Sequence, residues 1–270
     1  MKRVVALFAS LTLIAFAVGA FASDQKPQMT GVEIINKHLQ AVGGKEALTR
    51  IKSRVAIGVA KKDSDAAVPV AIMSEAPNRV SAIYQFEGYN WQLSYDGSKP
   101  VFRPAISRAS SVVVNKYQEM LASGTMFNGI SLYNALLAGE SGGVTFEANG
   151  TKKVKGRAAY IVDMKPVKGQ AIRLFFDSEN FMWVRSEYGS VRITRDMATF
   201  TNDVLTKDEE QTIDFYVETW DFKEVDGVKL PFKLEIVATA PILKQKNVGA
   251  IVATISEYRH NVQIDPKMFQ

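Results

Sequence analysis

His38 and His260 are the two histidines of this 270-residue chain, and cysteine is absent. These two facts remove much of catalytic chemistry at once. Without Cys there is no thiolate nucleophile and no Cys-based metal site. No His-x-x-x-His or His-Glu-x-x-His spacing occurs, so zinc hydrolysis lacks its ligand set. No Gly-x-Ser-x-Gly elbow supplies an activated serine. Each histidine stands alone, His38 on a helical segment and His260 near the end of the last strand, and such a residue reads as structural. Gly43-Gly44-Lys45 has a superficial likeness to a phosphate loop. The full spacing is missing, no strand precedes it, and helix capping explains the glycines. Asp208-Glu209-Glu210 reads as a solvated turn rather than a metal site. Asp177 and Glu187 are carboxylates that an enzyme on an open barrel could use, but no convergent acid–base set surrounds them. The sequence therefore assigns no catalytic residue, no metal ligand and no cofactor.

The remaining chemistry is apolar. An acyl chain needs no reactive group, only a dry groove in which each buried methylene contributes about 0.8 kcal/mol. Aromatic and flexible side chains suited to line one are Tyr84, Phe86, Trp91, Leu93, Tyr95, Met120, Met126, Phe127, Tyr133 and Leu136. Methionine suits an adaptable surface because it is unbranched and polarizable. The same residues would show the same periodicity if they were simply core. Lys152, Lys153 and Lys155 read as protection of a strand edge, with contact to lipid headgroups as the functional alternative. Asn149-Gly150-Thr151 fits a glycosylation sequon, but the Asn-Gly turn of a hairpin explains it.

The elements that must position these residues are legible in turn. Met1-Lys2-Arg3, an apolar run from Val4 to Gly19 and Ala20-Phe21-Ala22 form a secretory signal peptide over 1–22, cut after Ala22. Ser23 follows the cut, so no lipidated cysteine anchors the new N-terminus. Loss of Lys2 and Arg3 lowers the formal charge from +5 to +3, a mild balance that does not call for nucleic acid. The expected location is the periplasm, where a chain without disulfides must rely on burial for its stability. Thr30 caps a helix with Glu33 three residues on, and Ile34, Ile35, Leu39 and Val42 form its apolar stripe until Gly43-Gly44. A second short helix spans Lys45 to Ile51.

From Ser53 the pattern has period two. Val55, Ile57 and Val59 alternate with smaller or polar residues. Val80, Ala82, Tyr84 and Phe86 share a face, as do Tyr89, Trp91, Leu93 and Tyr95. Asn115 to Leu121 and Ile130 to Ala138 read as helices that cover one face of a sheet or plug its mouth. After Asn149-Gly150, hairpin strands are expected at Thr151–Lys155, Arg157–Lys165, Ala171–Asp177, Phe181–Tyr188, Val191–Arg195, Ile213–Lys223, Val228–Ala238 and Ile251–Arg259. Glu87-Gly88, Asp96-Gly97, Lys155-Gly156, Ser178-Glu179-Asn180 and Asp226-Gly227 mark turns. The fold class is mainly β with a few helices (α+β), a single curved antiparallel sheet, and residues 23–270 form one domain.

Glu33 to Lys52 (EIINKHLQAVGGKEALTRIK), Gly156 to Asp163, Arg173-Leu-Phe-Phe-Asp177 followed by Phe181-Met-Trp-Val-Arg185, and Val225-Asp-Gly-Val-Lys-Leu-Pro-Phe232 together resemble segments of the outer-membrane lipoprotein-sorting (LolA/LolB-like) superfamily of exported bacterial proteins. The resemblance implies an unclosed β-barrel with helices against its concave side, and an apolar cavity that holds acyl chains or lipid-modified proteins. The expected function is a periplasmic, non-enzymatic carrier or binder of a lipid or acylated protein, with Pro104 to Gly143 as the mobile part. An inner- or outer-membrane protein is a further expected partner. The alternative is an envelope-stress sensing or protein-interaction module on the same fold, without lipid transport.

Overall fold

The computed structural model describes residues 29–62, 65–86, 89–103, 118–167, 170–193, 211–240 and 245–270. The signal peptide, the turn Glu87-Gly88, the cluster Asp208-Glu209-Glu210, Asn115 to Tyr117 and Arg195 lie outside the described residues.

Helix α1 (Gly31–Ala41) begins with a reciprocal capping box. The Glu33 amide donates to Thr30 Oγ1 at 3.2 Å, and the Thr30 amide donates to Glu33 Oε2 at 2.7 Å. Its buried stripe is Ile34, Ile35, His38 and Leu39. Gly43, at φ 130°, turns the chain into α2 (Gly44–Arg50). A Cβ on Gly43 would lie 2.2 Å from the Gly227 carbonyl oxygen, so only glycine admits this approach.

The strands are β1 (Ser53–Lys62), β2 (Val68–Glu75), β3 (Arg79–Phe86), β4 (Tyr89–Tyr95), β5 (Pro100–Arg103), β6 (Val144–Val154), β7 (Arg157–Pro166), β8 (Ile172–Asp177), β9 (Trp183–Ile193), β10 (Gln211–Val225), β11 (Val228–Ala240) and β12 (Gln245–His260). They form one twelve-stranded antiparallel sheet in the order β5-β4-β3-β2-β1-β12-β11-β10-β9-β8-β7-β6. The first strand pairs with the last, Arg54 opposite His260. Strands β5 and β6 are the two edges, so the sheet does not close into a barrel. The chain passes from one edge to the other through a segment that contains a helical stretch at 118–122 and helix α3 (Ile130–Ala138).

Two expected features are placed differently. Asn149-Gly150 makes no hairpin turn. It lies inside β6, where Ala148 pairs with Val162 and Thr151 with Tyr160, leaving one extra residue as a bulge. Gly150 adopts φ 79°, the left-handed geometry that the Asn-Gly pair supplies to a bulge as readily as to a turn. The two strands expected at Phe181–Tyr188 and Val191–Arg195 are one strand, β9, bulged at Gly189 (φ 71°) against β10. Lys155-Gly156 and Asp226-Gly227 do form two-residue hairpins, with positive φ at both positions.

The main core joins α1, α2, residues 120–136 and the inner face of the sheet, where Leu174, Phe176, Trp183, Val217 and Leu230 are buried. The outer face is partly covered too. The terminal turn Pro266–Phe269 packs Phe269 and Ile264 on Met73. That cover explains why Ser81, on the outward side of β3, is buried and bonded to Ser94.

Candidate functional site

Small residues and one arginine line the inner face of β1. Arg54, Ala56 and Ala60 are buried, while Ile57 and Val59 are 37% and 42% exposed. The larger alternating set therefore points outward. The concave side of a curved sheet crowds its side chains, which favours alanine there. Around Ala56 and Ala60 a cluster forms from Val70, Ile72, Ala82, Leu234 and Ile255, rimmed by Tyr84, Phe127, Phe232 and Tyr258.

Residues 118–138 lie across this face as a lid. Its apolar side buries Met120, Leu121, Met126, Leu132, Tyr133 and Leu136 in the main core. Polar contacts fasten it at three places. Arg54 Nη1 donates to the Asn128 carbonyl at 2.8 Å. Tyr188 Oη donates to Thr125 Oγ1 at 2.7 Å and accepts from Ser186 Oγ at 2.9 Å. Asn134 Nδ2 donates to the Pro77 carbonyl at 2.9 Å. Burial pushes the Tyr188 hydroxyl well above the usual phenol range, so it stays a neutral donor.

At the lid's margin a cleft of about 480 Å³ opens between residues 118–123, α3 and the inner face of β6 to β8. Ala122, Ala135, Val144, Met164, Pro166 and Ile172 line it, with Gln118, Glu119, Ser123 and Gln170 at its polar side. That volume falls in the roughly 300–1,000 Å³ range of small-ligand sites.

Of the residues singled out for an apolar groove, Tyr95, Met120, Met126, Tyr133 and Leu136 are buried together in the main core. Leu93 and Phe127 pack half-buried against it. Phe127 also touches the cluster around Ala56, where Tyr84 sits. Trp91 is half-buried on β4. Phe86 ends β3, and its side chain lies outside the described residues.

Polar atoms on this side are what periodicity does not reveal. His38, 1% exposed, meets the Phe181 carbonyl through Nδ1 at 2.8 Å, and its Nε2 has no hydrogen-bond partner. Its ring stacks on Tyr133 and tilts against Phe176. Burial lowers its pKa to about 4, so the imidazole is neutral. The Trp91 indole N–H, the Ser131 hydroxyl and the Asn128 side-chain amide also complete no well-formed hydrogen bond. The Asn128 amide lies beside the Tyr133 hydroxyl. Arg54 could have been noticed in the sequence as a charged residue in phase with Ala56 and Ala60.

The carboxylates weighed for acid–base work have structural partners. Asp177 Oδ1 accepts from the amides of Glu179 and Asn180, shaping the turn, and Oδ2 pairs with Arg157 at 2.9 Å. Glu187 lies 3.4 Å from Arg185 and 3.6 Å from Lys152. Lys155 pairs with Glu218 and Glu235. Among the described residues no group of three or more His, Asp or Glu is placed to hold a metal ion, and no helix is long and apolar enough to cross a membrane.

No protein-family model matches the sequence, and no curated protein does. Solved structures with a similar course of chain include LolA-superfamily proteins. One, from Nitrosomonas europaea, is 11% identical, with 90% of this chain and 98% of that one covered and a TM-score of 0.46. A lipoprotein-sorting protein domain from Vibrio parahaemolyticus is 9% identical over 88% and 95% of the chains, also at 0.46. A DUF1329 family protein from Desulfovibrio piger is 11% identical over 90% and 98%, at 0.44.

Proposed function

We propose that this protein is an exported, periplasmic, non-enzymatic binder of a lipid or lipid-modified protein, which holds acyl chains between the inner face of its open sheet and the lid at 118–138. The observation that carries this reading is the cleft of about 480 Å³ at the margin of a lid whose inward side is methionine and leucine. Tyr84, Phe86, Trp91, Leu93, Tyr95, Met120, Met126, Phe127, Tyr133 and Leu136, none of which lines that cleft, are the proposed contacts of a chain that passes from it beneath the lid.

The energetics favour exchange over simple opening. Each lid hydrogen bond contributes about 1 kcal/mol net. Exposing a buried Leu or Met side chain costs about 1.5–3 kcal/mol, so the apolar side of the lid holds it more firmly than its polar fasteners. An entering chain of ten methylenes offers about 8 kcal/mol of gross burial, which offsets the exposure of about three to five of the lid's buried side chains but not of all of them. Part of the lid therefore moves when an acyl chain takes its place against the sheet.

Native mass spectrometry of the mature protein, exported to a bacterial periplasm and purified without detergent, tests the reading. A stoichiometric adduct that extracts as an acyl lipid is the expected result. A clean apo mass, unchanged after incubation with lipid vesicles, overturns it in favour of protein interaction.

A further inference from the structure

Arg54 is 3% exposed, and among the described residues no carboxylate pairs with it. Its Nη1 donates to the Asn128 carbonyl at 2.8 Å and its Nε to His260 Nε2 at 3.2 Å. Since His260 Nε2 accepts, Nδ1 carries the ring proton and donates to Asp226 Oδ2 at 2.9 Å. The nearest counter-charge on this path is thus an imidazole's width away, on an exposed aspartate. A buried charge without a direct partner costs several kcal/mol. A guanidinium has five N–H donors in a planar fork suited to two oxygens of one anion, and the two contacts above use two of them.

A second observation points to the same place. Asn128, whose carbonyl meets Arg54, has its own side-chain amide buried without a well-formed hydrogen bond at either atom. Its backbone is left-handed, at φ 51°. The Tyr133 ring lies 5.7 Å from the guanidinium. Beyond Arg54, the inner face of β1 continues as Ala56 and Ala60, the apolar floor rimmed by Phe127 and Tyr258. A cationic fork at the head of an apolar track matches one kind of molecule, an anion that carries a hydrocarbon tail.

We propose that Arg54 receives the anionic head, carboxylate or phosphate, of an acyl-bearing ligand whose chain runs along Ala56 and Ala60. This rests on the lipid-binding reading above and names the class of lipid. The ligand's oxygens take the donors that Arg54 leaves unused, and the Asn128 side-chain amide is a second donor to the anion.

The test is titration calorimetry on delipidated mature protein with four probes below their micellar concentrations: dodecanoate, monododecyl phosphate, methyl dodecanoate and inorganic phosphate. The acids are expected to bind roughly tenfold or more tighter than the ester, the size of one charge-assisted hydrogen bond. Dodecanoate against dodecyl phosphate distinguishes the two heads. Arg54→Gln is expected to bring acid and ester to equal affinity. Arg54→Lys, which keeps the charge without the fork, covers the case in which Arg54→Gln does not fold. Equal affinity for acid and ester overturns this proposal and leaves the lipid reading standing. Inorganic phosphate binding as tightly as dodecyl phosphate overturns it in favour of a free-anion site. Failure of every chain-bearing probe overturns both.

Discussion

His38 shows how one buried side chain writes itself into the pH dependence of stability. Its folded pKa of about 4 lies below the ordinary value of 6.5. The unfolded chain therefore binds the proton more readily between those values. Stability from this group is fully present above pH 6.5 and is lost as pH falls toward 4. The full loss is roughly 3 kcal/mol. Urea midpoints measured at pH 7 and pH 4.5 are expected to differ more for the wild type than for His38→Gln, which cannot titrate. Equal differences would show that the imidazole is not buried as described. The hydroxyl chain Ser186–Tyr188–Thr125 gives a second residue-scale prediction. Tyr188→Phe removes two hydrogen bonds from a buried site and leaves the Thr125 and Ser186 hydroxyls to re-pair. It is expected to lower unfolding stability by about 1–3 kcal/mol, read from chemical denaturation.

At the scale of elements, the elbow between α1 and α2 is tied to the β10–β11 hairpin. The Lys229 amide donates to the Val42 carbonyl at 2.9 Å, and Gly43 meets the Gly227 carbonyl where no Cβ fits. Gly43→Ala must either rotate a backbone held at φ 130° or push the hairpin away. We expect a loss of about 2–4 kcal/mol, measured as a fall in thermal midpoint, whereas Gly150→Ala, with open space at its Cβ, suffers only from its φ of 79° and loses less. The bulges at Asn149-Gly150 and Gly189 belong to this scale as well. Each adds a residue to one strand and bends it, so the sheet can curve around the helices instead of extending flat.

At the scale of the whole molecule, the lid follows from topology. Strands β5 and β6 are opposite edges of one sheet, and the chain must travel between them. The described part of that path crosses the concave face. A segment inserted between edges has fewer main-chain ties to the sheet than any central strand. Its amides at 118–138 are expected to exchange with solvent through a local opening of lower free energy than those of β7 to β11. Hydrogen exchange read by mass spectrometry checks this. Uniform protection across lid and sheet would remove the moving part that acyl exchange needs.

The sequence by itself determined the local elements. The capping box at Thr30 and Glu33, helix α3 at Ile130–Ala138, and the hairpins at Lys155-Gly156 and Asp226-Gly227 each depend on residues a few positions apart. The mainly β class with covering helices was legible for the same reason. Tertiary structure alone decided the pairing of β1 with β12, which joins strands far apart in the chain, whereas the hairpin pairings and the unclosed sheet were already expected. It also decided that β1 turns Arg54, Ala56 and Ala60 inward and Ile57 and Val59 outward. Period-two alternation marks two faces without naming the buried one, and curvature, a property of the whole sheet, makes that choice. The same holds for Asn149-Gly150, since a left-handed glycine serves a turn or a bulge alike. The site's polar atoms come from α1, β1, β4 and the lid, far apart in the chain. Only folding brings His38, Arg54 and Asn128 to one side of the sheet.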